Sequence, residues 1–127
     1  MTKNFPDLPL KLDLGAGANV PYGYRPLGRG FGHDSEIYPM PDYKDNCVDV
    51  IRASHVLEHF PHRQIDDVLA EWVRVLKPGG ILRIAVPDFE KIAKGYLEGR
   101  GEQVPAEWLV MGAQSDDNDF HRSLFDR

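Results

Sequence analysis

The chain has 127 residues, with 15 Lys and Arg against 20 Asp and Glu, a formal net charge of −5 that argues against capture of nucleic acid or an anionic membrane by a general basic face. Hydrophobic residues make up 42%, enough for the core of one small domain, and the longest apolar runs are far too short to span a bilayer. A single cysteine, Cys47, rules out an intrachain disulfide and a multi-cysteine metal site.

The opening MTKNFPDLPL has neither a basic stretch nor a long apolar one, so no secretory signal is expected and a soluble, cytoplasmic domain is. A first strand is predicted over 10–14, closed by Gly15-Ala16-Gly17. The Pro- and Gly-rich stretch 21–41 is too broken for a long helix and holds at most a short strand near 24–28. A second clear strand follows over 48–53. Residues 62–76 then carry Ile65, Val68, Leu69, Trp72 and Leu76 on one helical stripe, with Lys77 suited to the helix dipole and Pro78-Gly79-Gly80 as a stop. The run 81–86 is nearly continuous in apolar residues, as strands covered on both faces are. Asp88 is a predicted N-cap for a second helix, with a stripe of Phe89, Ile92, Ala93, Tyr96 and Leu97 and an end at Gly99. Pro105 opens one or two further turns through Trp108 to Met111, and the acidic run 114–119 reads as loop. Strands alternating with helices predict an α/β fold with a parallel sheet.

Two motifs carry chemistry. Asp13-Leu14-Gly15-Ala16-Gly17 puts a carboxylate and two glycines where a strand gives way to a turn, the edge at which open α/β sheets bind ligands. Val20 stands where the third glycine of a dinucleotide fingerprint belongs, so a plain tight turn remains an alternative. His55-Val56-Leu57-Glu58-His59 matches H-x-x-E-H, a zinc-peptidase pattern in which two His share a helical face. It follows directly on a strand, however, and Pro61 stops any helix. No metal is therefore expected at His55 and His59, and the bland reading is a turn whose imidazoles bond backbone and line a pocket. His33, His62 and His121 read as surface or loop residues, Asp42, Asp45 and Asp49 as solvated charges, and Cys47 as a small apolar filler.

Three stretches in order, Leu12 through Gly17, Cys47 through His59, and Glu71 through Leu82 with its R-x-L-K-P-G-G, resemble the class I S-adenosylmethionine-dependent methyltransferases. The resemblance implies a Rossmann-like, mostly parallel open sheet flanked by helices, formed by a single domain over 1–127. It further implies S-adenosylmethionine as cofactor and methyl transfer to an acceptor, a small molecule or glycan in preference to nucleic acid. Asp13, Gly15, Ala16 and Gly17 would face the amino-acid portion of the cofactor, and Met40 its adenine. Ser54, His55 and Leu57 would line the pocket beside the sulfonium. The acid that takes the ribose hydroxyls is replaced by Gly28, so Asp34 or Glu36 would serve. His55 and His59 are the candidate bases.

The family normally continues into another helix and an antiparallel strand pair, so a C-terminal truncation is expected. That would leave 81–86 near a sheet edge and favour a two-fold homodimer with the segment from Pro105 onward at the contact. The other readings are a degenerate cofactor-binding or interaction module of the same fold and, from H-x-x-E-H, a zinc hydrolase.

Overall fold

A computed structural model describes residues 8–28, 37–99, 105–114 and 120–126. Four strands, β1 (Lys11–Leu14), β2 (Arg25–Leu27), β3 (Val48–Ser54) and β4 (Leu76–Ala85), pair in the order β2-β1-β3-β4. Every pairing is parallel. Three helices follow β3: α1 (Ile65–Val75), α2 (Phe89–Leu97) and α3 (Ala106–Met111). The chain has the Rossmann-like α/β architecture expected of it, with the four strands as its whole described sheet.

Helix α1 forms because its apolar residues recur at helical spacing. Val68, Trp72 and Val75 are buried, while Ile65 and Leu69 pack against the core from its margin. Asp66 and Asp67 occupy the first turn, where the helix dipole favours negative charge. The helix ends at Val75, one residue before its predicted end at 76. Asn46 and Cys47 donate their amides to the carbonyls of Arg74 and Val75 at 3.0 and 2.8 Å, satisfying the helix end and pulling Leu76 into strand β4. β4 is consequently longer than predicted. A register shift takes up Lys77 through Gly80, since Val48 lies opposite Leu76 but Val50 lies opposite Ile81. Gly79 lies in the left-handed region within this bulge, at φ +79°.

The pleat divides the sheet into two unlike faces. Leu12 and Leu14 lie opposite Ile51 and Ala53, all essentially inaccessible to solvent, and this face carries the core with Trp72 and Phe60. Trp72 donates its indole N–H to the Ile37 carbonyl at 2.9 Å, so its one polar atom is satisfied inside the core. On the other face Asp13, Arg52 and Arg83 stand side by side across three strands.

Some expectations change. β4 is not covered on both faces: Ile81 is 46% exposed and Ile84 39%. As the last strand of the described sheet it has the edge position expected for 81–86. Asp88 caps α2 by accepting from the Lys91 amide, as expected, but the apolar stripe of that helix is mostly open, with Tyr96 and Leu97 exposed and Ile92 buried. Nor are the early aspartates merely solvated. Asp49 accepts from the Leu10 amide at 2.8 Å and pairs with Lys77, and Asp45 pairs with Arg74. Among the described residues no helix is long and apolar enough to cross a membrane.

Candidate functional site

Chain order and strand order diverge at one place. From β1 the chain moves outward to β2, then returns past β1 to β3, so the C-terminal ends of β1 and β3 flank a switch point, where α/β sheets bind ligands. The turn 15–17 leaves β1 there and Ser54 and His55 leave β3.

Gly15 sits at φ +63° and a Cβ on it would lie 2.6 Å from Val56 Cγ2, so both backbone conformation and packing require glycine. The amides of Gly15 and Ala16 reach the Leu27 carbonyl, at 2.7 and 3.4 Å, which ties β1's exit to β2. Gly17 differs: it is exposed, and a Cβ on it would meet nothing within 4 Å. Asp13 is buried, and Arg52 donates to its Oδ1 at 2.8 Å while Oδ2 is buried without a hydrogen-bond partner. Sequence reasoning missed Arg52, because only the strand register puts it opposite Asp13.

The remaining predicted residues are dispersed. Asp34 and Glu36 lie outside the described residues. Met40 and Leu57 are buried members of the core. Ser54 is half-buried and, with Arg52, Ala53, Arg83, Ile84 and Ala85, lines a concavity of about 200 Å³ at the ends of β3 and β4. His55 has a left-handed backbone (φ +57°), donates its amide to the Ala85 carbonyl at 2.7 Å and leaves most of its side chain open. Burial, followed by the nearby His121 and Arg52, lowers the His55 pKa below its ordinary value of 6.5.

The H-x-x-E-H pattern does not form the helix a peptidase site needs. Leu57–His59 is a single 3-10 turn, and its middle residue, Glu58, is 1% exposed. Both Glu58 carboxylate oxygens are buried without a hydrogen-bond partner, and burial pushes its pKa up to about 7. Three imidazoles surround it: His55 Nδ1, His59 Nε2 and His121 Nε2 lie 3.7, 3.9 and 4.0 Å from Oε1. His121 is thus no surface residue. Its ring stands 4.9 Å from that of His59 at 81°, its side chain is only 11% exposed, and the tail carrying it is docked on the turn. Arg122 and Ser123 both donate their amides to the Glu58 carbonyl, and the Ser123 hydroxyl donates to that of Phe60. No spacing rule connects positions 59 and 121, so no signal in the sequence could have found this neighbour.

No curated protein and no solved structure matches the chain. Residues 30–84 match the family model of a methyltransferase domain, a stretch that begins after the glycine turn and runs through β3, α1 and most of β4. Over that stretch the chain is similar to methyltransferase domains, and its parallel sheet is the architecture which that similarity implies.

Proposed function

We propose that this chain binds S-adenosylmethionine at the switch point between β1 and β3 and transfers a methyl group to a small molecule or glycan. The observation that carries the reading is the turn 15–17 at this switch point, beside a buried carboxylate with one oxygen unengaged. That oxygen, Asp13 Oδ2, suits a ligand ammonium, and the open space at Gly17 lets a ligand approach the backbone; both fit the amino-acid portion of the cofactor. When bound, the cofactor supplies a methyl group on a sulfonium, transferable by in-line displacement.

The chain's own groups have distinct tasks in this reading. Arg52 holds Asp13 in place through its bond to Oδ1. Ser54, His55 and Leu57 flank the reacting end, Met40 serves the adenine side, and Asp34 or Glu36 takes the ribose hydroxyls. His55, held neutral by its lowered pKa, accepts the proton of an acceptor hydroxyl; His59, buried beside Glu58, is the other imidazole at hand. The net charge of −5 speaks against a nucleic acid as acceptor. We infer a cytoplasmic protein, and a two-fold homodimer that covers the β4 edge with the segment from Pro105 onward at the contact.

Calorimetry with S-adenosylmethionine, followed by release of the demethylated cofactor across a panel of hydroxyl-bearing small molecules and glycans, tests the reading. Binding with turnover on at least one acceptor is expected, and absence of binding overturns it. One observation favours the non-catalytic module instead: the Gly15 and Ala16 amides already engage Leu27. Binding without turnover on any acceptor is the outcome that selects this second reading.

A further inference from the structure

We propose that Glu58, His59 and His121 form a site for one divalent transition-metal ion, zinc by its donor set, that pins the C-terminal segment to the turn after β3. The proposal does not rest on methyl transfer, though it leaves His55 as the base there because a metal-bound His59 cannot accept a proton, and it differs from the zinc-peptidase pairing, since the second imidazole is His121 and His55 stands outside the group.

Each of the three residues offers one ligand atom, and these atoms lie within 4.8 Å of one another. Tetrahedral zinc with nitrogen and oxygen ligands at about 2.0–2.2 Å holds those ligands about 3.3–3.6 Å apart. The Nε2 atoms of His59 and His121, at 3.9 and 4.0 Å from Glu58 Oε1, lie a few tenths of an ångström outside that range, and the group as a whole, spread over up to 4.8 Å, closes by side-chain torsions.

Burial makes the cluster favour a bound cation or proton. Glu58 is 1% exposed and neither carboxylate oxygen has a hydrogen-bond partner, a costly state for the ionised, acceptor-only form. His121 sharpens the point. Its Nδ1 lies 2.9 Å from the Leu109 carbonyl, which can only accept, so the proton of the neutral ring sits on Nδ1. Nε2 then presents a lone pair to the Glu58 carboxylate, acceptor facing acceptor. A metal ion resolves that opposition, and an imidazole whose other nitrogen donates to a carbonyl is the usual outer-shell arrangement at metal sites.

The scaffold is already assembled. Arg122 and Ser123 donate their amides to the Glu58 carbonyl at 2.7 and 3.0 Å, and His121 donates its own to Met111 at 3.0 Å, so the ligands from 58–59 and from the tail are held together by backbone. Two imidazoles and a carboxylate suit zinc, whereas magnesium and calcium prefer all-oxygen shells. Three protein ligands leave a fourth position for water.

The test titrates zinc chloride, and separately magnesium chloride, into chelator-treated full-length protein by calorimetry, with thermal melts alongside. One zinc per chain, a raised melting temperature and no magnesium binding are expected. Glu58→Gln and His121→Asn should each weaken zinc by at least about 100-fold, more than an outer-shell change costs, while His55→Ala leaves the affinity unchanged. Far-UV circular dichroism identifies any variant that fails to fold, and the wild-type titration stands without them. No saturable zinc binding means that the cluster holds only protons and overturns the proposal. So does zinc binding that persists in folded Glu58→Gln and His121→Asn, or that is lost in His55→Ala.

Discussion

Arg52 and Asp13 face each other in register across the β1–β3 pair, with Arg52 Nη1 2.8 Å from Asp13 Oδ1. The carboxylate is 2% exposed and the guanidinium side chain 35%, so the pair is half in water. Removing Arg52 leaves a charge in the sheet without its counter-ion, which costs more than the pair itself contributes. Arg52→Ala should destabilise by about 1–3 kcal/mol, below the range for fully buried pairs because the arginine is partly solvated. Urea denaturation measures this. Asp13→Asn, which keeps the shape, should lose less stability while weakening S-adenosylmethionine binding in calorimetry.

The two glycines of the first turn should separate stability from binding. Gly15→Ala meets both a left-handed backbone and Val56 at 2.6 Å, and should cost about 1–3 kcal/mol in denaturant unfolding. Gly17→Ala meets nothing within 4 Å and should leave stability within about 0.5 kcal/mol of wild type. Its added methyl group should weaken the cofactor, however. Equal stability losses in the two variants would contradict the distinction.

Acid should loosen the segment that precedes β3. Arg74 donates to Glu71, to Asp45 and to the carbonyls of Met40 and Tyr43, while Glu71 also accepts from the Met40 amide. The hydrogen bond from Arg74, then that from Met40, lowers the Glu71 pKa below its ordinary 4.5. A carboxyl lowered on folding contributes stability that is fully present above its unfolded value and lost as pH falls through the folded one. Melting temperature should therefore decline as pH drops below about 4.5, and Glu71→Gln should flatten that decline. An unchanged slope in the variant would assign the acid sensitivity to other carboxyls, such as Asp49, which is lowered chiefly by the Leu10 amide.

The homodimer inferred for the β4 edge predicts a dimer in light scattering at micromolar concentration. Ile84→Lys, at a position 39% exposed, should give a folded monomer, because a charge on an edge strand blocks edge-to-edge pairing. A wild-type protein that stays monomeric across the same range removes the dimer.

Local pattern alone determined the fold class, the four strands, the face of α1 that carries Trp72, and the Asp88 cap, because each depends on residues within a few positions of one another. The glycine turn was legible for the same reason. Strand register, chain return and burial were decided only in three dimensions. Register put Arg52 against Asp13, from a strand 39 positions away. The exposure of Ile81 and Ile84 on the faces of β4, against the covering that its apolar content suggested, was settled by the packing of the described residues. The tail's return carried His121 to His59 across 62 positions of chain, through backbone bonds to Glu58 that any residue type can make. Such bonds have no side-chain signature, so the sequence showed a two-histidine motif where the folded chain brings His121 and His59 together around a buried carboxylate.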